Sequence, residues 1–181
     1  MKKQLFLSFL FMLGLSVGSF AQGKLFLGVD LGFHSNDAHS SFELSPALGY
    51  WLNDNAAIVG SVGFSSETDK TTSPDDTKTS GFGIGVQYRH CWKNDNFYFY
   101  LAPGVGYGTA KVDDGTTDFS VNTLNISLTP GISNMLSDKW SINAEMGLID
   151  FTSVSGDVES DSEFSINTTM SALSFGLWYH F

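Results

Sequence analysis

From Leu25 onward the chain is written in period two. One face of the first run carries Leu25, Leu27, Val29, Leu31 and Phe33, and the other carries Phe26, Gly28, Asp30 and Gly32. The pattern returns as Phe42, Leu44, Pro46, Leu48 and Tyr50 against Glu43, Ser45, Ala47 and Gly49. Further on, Phe82, Ile84, Val86 and Tyr88 stand against Gly81, Gly83, Gly85, Gln87 and Arg89. The last run sets Leu173, Phe175, Leu177, Tyr179 and Phe181 against Ser174, Gly176, Trp178 and His180. Such alternation belongs to strands with two unlike faces, whereas a helix would repeat at about 3.6 residues. Eight strands are predicted, near 24–33, 41–52, 56–66, 80–92, 97–112, 119–134, 139–152 and 164–181.

The connections alternate as well. Asn53-Asp54-Asn55, Lys93-Asn94-Asp95-Asn96 and Ser137-Asp138 have the chemistry of tight turns. The other four, 34–40, 67–79, 113–118 and 153–163, are longer and polar. One face of every strand is aliphatic or aromatic, and the other is mostly Gly, Ser, Asn and Thr. Small polar residues make a poor apolar core, but they fit the narrow interior of an eight-stranded barrel whose oily face meets lipid. Closure also pairs every backbone group, which lipid demands. The fold class predicted is therefore all-β: an antiparallel, up-and-down, eight-stranded transmembrane β-barrel.

Aromatic placement agrees. Tyr50, Tyr88, Trp92, Phe97, Phe99, Trp140, Tyr179 and Phe181 lie near the short turns, and Phe33, Phe42, Phe64, Phe82 and Tyr107 near the long loops. Two aromatic girdles are expected where a barrel crosses the two membrane interfaces. Pro46, Pro103 and Pro130 fit less easily, because proline cannot donate to a ladder. All three stand some six to eight residues from a short turn, hence at similar depth. A bulge or a missing ladder bond is expected at each.

Composition now makes sense. Mean hydropathy is +0.00, charged residues are 15% and the formal net charge is −10. So acidic a chain is not a nucleic-acid binder, one cysteine cannot make a disulfide scaffold, and the aromatic content is too high for a disordered chain. Residues 1–21 read as a secretory signal: Lys2 and Lys3, the apolar stretch Leu5 to Val17, and the small-x-small site Ser19-Phe20-Ala21. Removing it costs two lysines and no acids, and leaves 22–181 as the barrel, at a formal −12.

Four charged residues face the lumen by parity: Asp30, Glu43, Arg89 and Glu145. Charge inside a narrow barrel needs a partner, so Arg89 and Glu145 are expected to pair across the lumen as a plug. Asp157, Glu159, Asp161 and Glu163 recur at a spacing of two in the last long loop, and are weak candidates for a divalent cation. His34, His39, Ser41 and Glu43 hold the residue types of an acyl-transfer set near the first long loop. Cys91 reads as a small lumen filler. Gly81, Gly83 and Gly85 are one face of a strand and not a phosphate loop, since no helix follows. No catalytic residue, metal or cofactor is assigned.

The sequence resembles the small OmpA/OmpX-type barrels, and more closely the "outer membrane protein beta-barrel domain" or porin family proteins common in Bacteroidota. The resemblance is carried by Pro46-Ala47-Leu48-Gly49-Tyr50-Trp51, Val86-Gln87-Tyr88-Arg89, Ala102-Pro103-Gly104-Val105-Gly106-Tyr107 and the last strand. That strand matches the terminal β-signal of such barrels, so the resemblance implies recognition of Ser174, Gly176, Tyr179 and Phe181 by the barrel-assembly machinery. It also implies an outer membrane location with both termini periplasmic, outer membrane lipid as partner, and no nucleic acid. An extracellular partner is not legible. Two other functions are compatible with such barrels. One is a narrow porin-like channel. The other is an outer-leaflet lipid A-modifying enzyme, which His39-Ser40-Ser41 resembles in spelling only.

Overall fold

A computed structural model describes residues 24–35, 39–70, 77–113, 115, 118–157, 161–166 and 173–181. The signal segment 1–21 lies outside the described residues. The strands are β1 (Leu25–Ser35), β2 (His39–Asn53), β3 (Ala56–Asp69), β4 (Thr77–Asn94), β5 (Phe97–Asp113), β6 (Asp118–Met135), β7 (Trp140–Met146), β8 (Ile149–Gly156), β9 (Asp161–Ile166) and β10 (Leu173–His180). All pair antiparallel, neighbour to neighbour. The ring closes through β1–β10 and β5–β6. β7 with β8, and β9 with β10, serve as the seventh and eighth barrel strands, so the molecule is a closed eight-stranded antiparallel barrel.

The short turns are built as their residues dictate. The Asn55 amide donates to Asn53 Oδ1 at 2.9 Å, and Asp95 takes a left-handed φ of 51°. Ser137 Oγ accepts from the amides of Lys139 and Trp140. At the same end the Phe181 amide donates to the Leu25 carbonyl at 3.1 Å, tying the last residue to the first strand.

At the long-loop end the strands reach further than periodicity predicts. β3 and β4 stay paired to Asp69↔Thr77, and β5 and β6 to Asp113↔Asp118. The expected loops at 67–79, 113–118, 34–40 and 153–163 are correspondingly shorter. Cross-strand pairs such as Thr68↔Lys78 and Glu67↔Thr79 explain the extension: β-branched and charged partners hold a ladder without an apolar face.

The seventh strand is corrected more substantially, because it is not one continuous ladder; in the eighth, residues 167–172 lie outside the described residues. β6 pairs Gly131↔Glu145 on β7 but Leu128↔Ile149 on β8, a one-residue bulge at Gly147-Leu148. The bulge reverses the parity. Continued alternation from Trp140 would turn Asp150 toward lipid; instead Asp150 is the register partner of lumen-facing Ser127, and Phe151 goes outward.

The prolines account for three further gaps, while β2–β3 also shifts register by one beside its turn, between Trp51 and Asn53. Pro46 pairs with Val29 of β1, but β2–β3 pairing skips from Leu44↔Phe64 to Ala47↔Ser61. Pro103 pairs with Leu128 of β6, but β4–β5 pairing skips from Gln87↔Gly104 to His90↔Leu101. Pro130 pairs with Leu101 of β5 and faces the bulge on its other side. Each proline keeps one neighbour and interrupts the other, as a residue with no N–H must.

Candidate functional site

The barrel wall separates two chemistries. Outward side chains include Leu27, Leu31, Ile58, Ile84, Val86, Val105, Ile126 and Leu177, all well exposed. In water such a surface would drive aggregation, but in lipid it is the expected solvent-facing side. The girdle residues Tyr50, Tyr88, Trp92, Phe97 and Trp140 are all exposed on it. Trp140 meets Tyr179 edge-on at 5.0 Å, and Tyr179 meets Phe181 at 5.1 Å.

Inside, the short-turn half is narrowed by large rings. Phe26 touches Trp51, Trp178 and His180, with ring centroids 5.3 to 5.5 Å apart. Cys91, Tyr100 and Ala102 form a second buried cluster against Trp51 and Tyr98. Rings of this size fit because glycine stands beside them. Gly28 is the register partner of Trp178, Gly49 of Phe26, and Gly131 of Tyr100. A Cβ at any of the three would run into the ring.

The charged centre lies directly above these rings. Arg89, 4% exposed, is bound through Nη2 to Glu145 Oε1. The Tyr100 hydroxyl donates to the same oxygen at 2.7 Å. The Gln87 amide oxygen accepts from Arg89 Nε at 3.0 Å, in the amide orientation that satisfies both groups. The guanidinium carbon also lies 4.5 Å from the Trp178 ring and 4.8 Å from that of Tyr100, within cation–π range. Trp178 extends the network, since its indole N–H donates to Asp30 Oδ1 at 3.1 Å. Arg89 is thus held by a carboxylate, an amide and two aromatic faces. That answers the high cost of burying a guanidinium without partners.

Of the four lumen charges, the structure brings Arg89 and Glu145 into contact and links Asp30 to them through Trp178. Glu43 stands apart, nearer the long loops, where it accepts from Ser45 Oγ at 3.3 Å. Tyr100, Trp178 and Gln87 complete the centre but were not singled out by sequence. The legible signal was a large ring on a lumen face otherwise built of small residues. Asp150, within 3.4 Å of Asn125 Nδ2, is a further inward carboxylate that only the bulge reveals.

The network divides the lumen. On the long-loop side is a cavity of about 440 Å³, lined by Asp30, Glu43, Glu145 and a wall of Gly83, Gly85, Gly106 and others. On the short-turn side is one of about 340 Å³, lined by Arg89, Trp51, Tyr98, Ser141, His180 and others. Arg89 lines the lower cavity and Glu145 the upper, so the ion pair is a septum one side-chain layer thick.

The remaining candidates are placed as follows. Ser174 lines the upper cavity and Gly176 faces Asp30, whereas Tyr179 and Phe181 point outward. The Asp157 carboxylate accepts from the Ser120 amide at 2.9 Å, while Asp161 and Glu163 pair in register with Val154 and Thr152. Glu159 lies outside the described residues. His34 and His39 hold strand positions opposite Ser41 and Asp69, and their side chains lie outside the described set.

Residues 7–181 match the family described as outer membrane protein beta-barrel domain, and the chain belongs to that family. It is an outer membrane β-barrel protein. No curated protein matches it. Among solved structures it is similar to Neisserial surface protein A, at TM-score 0.53 and 16% identity, over 87% of this chain and 96% of that one. It is also similar to a major outer membrane protein of Thermus thermophilus, at TM-score 0.52 and 12% identity, over 88% and 100% of the two chains. The N-terminal barrel domain of Pseudomonas aeruginosa OprF gives TM-score 0.50 and 10% identity, again over 88% and 100%. At these identities the likeness is one of fold.

Proposed function

We propose that the protein is a structural and interaction barrel of the outer membrane, with its short turns and termini periplasmic and its acidic loop end at the cell surface. The observation that carries this reading is the septum of Arg89, Glu145, Tyr100 and Trp178, which fills the lumen where a channel would need a passage. With the lumen blocked at the septum, the parts that can meet other molecules are the strand pairs that continue toward the long loops. Those pairs carry Asp113, Asp118, Asp161 and Glu163, which outnumber Lys78 and Lys111 at the same end. Their charge favours cationic groups, either ions or basic partner surfaces, at low ionic strength. Catalysis forms no part of the proposal. The terminal residues Ser174, Gly176, Tyr179 and Phe181 are proposed as the assembly signal, with Tyr179 and Phe181 presented outward for recognition.

One specific observation favours a second reading, a narrow channel: two cavities approach the septum from opposite sides and only one layer of side chains parts them. Planar-bilayer recording of the purified protein separates the two readings. A silent bilayer, with insertion verified by protease protection, is the outcome expected of an interaction barrel. Reproducible single-channel steps would replace that reading with the channel.

A further inference from the structure

The wall has a mechanical pattern that goes beyond either reading. The ladders β1–β2, β3–β4 and β5–β6 run without a break. The ladders between them, β2–β3, β4–β5 and β6 with β7 and β8, are each interrupted at a proline, Pro46, Pro103 and Pro130, and β2–β3 carries a second irregularity beside its turn, between Trp51 and Asn53. Each interruption falls a similar number of residues from a short turn. At about 3.3 Å per residue and a tilt of roughly 40°, that places all three near one level of the membrane.

The septum crosses the lumen close to this level. The β4–β5 gap spans Arg89 itself, and Glu145 forms the last β6–β7 pair before the bulge. The unbroken β5–β6 plate stands between them and contributes Tyr100. Two of the wall's weakened seams therefore meet, inside the lumen, at a single carboxylate.

We propose that this level is a dilation belt, an arc of three alternate weakened seams at which the wall opens, and that Glu145 latches it shut by holding Arg89 of β4 and Tyr100 of β5 to β7. Backbone bonds give this barrel its stiffness elsewhere; at the belt, side chains across the lumen replace them. Loss of the latch is then a local event, confined to one depth of the wall.

Residue-resolved amide hydrogen exchange of the full barrel in micelles tests this. In Glu145→Gln, exchange at the belt positions Val62, Tyr88 and Met146 is expected to rise roughly tenfold, with Ile84 and Trp92 on the same strand as Tyr88 changing far less. Adding Pro103→Val, which restores a donor to the β4–β5 seam, is expected to return Tyr88 toward its wild-type rate. Tyr100→Phe removes one latch bond without leaving a charge unpaired, and covers the case in which Glu145→Gln does not fold. Exchange that is unchanged in the latch variants, or that rises evenly along the strands, or that ignores the restored donor at residue 103, would overturn the belt.

Discussion

The indole of Trp178 lies over Gly28, its register partner across the β1–β10 ladder, and a methyl group at Gly28 would occupy the ring's own position. This contact joins the barrel's closing seam to its charged centre, because the same indole faces Arg89 and hydrogen-bonds Asp30. Gly28→Ala should therefore destabilise the folded barrel by about 1–3 kcal/mol, the usual cost of overpacking a filled interior. The shift should be visible in the urea midpoint of the folded band on heat-modifiable gels. Gly60→Ala is the control, because a Cβ there meets nothing closer than 3.9 Å and should move the midpoint by less than about 0.5 kcal/mol. Equal effects at both positions would mean that the ring is not held where it is described.

Arg89 and Glu145 are coupled through burial. Their side chains are 5% and 14% exposed, so removing either strands a charge away from bulk water. Arg89→Met and Glu145→Met should each cost about 3–5 kcal/mol. The double variant should cost clearly less than the two together, with a coupling of roughly 1–3 kcal/mol. Strict additivity in urea unfolding would show that the pair does not act as one unit.

Much of this was open to a reader of the sequence, and the rest was hidden for identifiable reasons. Period two in the first six strands, with Gly and Ser on one face and rings clustered at both ends, defines a barrel with lipid outside. Arg89 and Glu145 could be set on the lumen face by parity alone. Asp150 could not, because one extra residue at Gly147-Leu148 reverses the face of everything after it, and a bulge leaves no periodic trace. The prolines marked the depth of the interruptions but not which neighbour each would lose. That choice follows from strand pairing, which a linear pattern does not contain. Tyr100 and Trp178 were visible as large residues on a small-residue face. Their role depended on Gly131 and Gly28 across the ladder, a relation of register.

The terminal strand offers a prediction that separates assembly from stability. The Phe181 amide bonds to Leu25, and this bond survives loss of the side chain. The ring itself is outward and packs on Tyr179. Phe181→Ala should thus leave refolding in micelles within about 1 kcal/mol of wild type. If the ring is an assembly signal, the variant's level in cellular outer membranes should fall several-fold. Unchanged membrane levels would remove Phe181 from that role.

The central claim is that the aromatic and aliphatic face meets lipid while the second aromatic set fills the lumen. Tryptophan supplies probes on both sides: Trp92 and Trp140 are exposed outward, and Trp178 is 1% exposed inside. Three variants, each keeping only one of these tryptophans and carrying phenylalanine at the others, can be folded into bilayers of bromine-labelled phospholipid. Girdle residues sit near the headgroups. Bromine near the glycerol end of the chains should therefore quench Trp92 and Trp140 more than bromine near the chain ends, and neither lipid should quench Trp178. Lipid quenching of Trp178 with Trp92 and Trp140 untouched would contradict the account, because it would mean that the faces of the barrel are assigned the wrong way round.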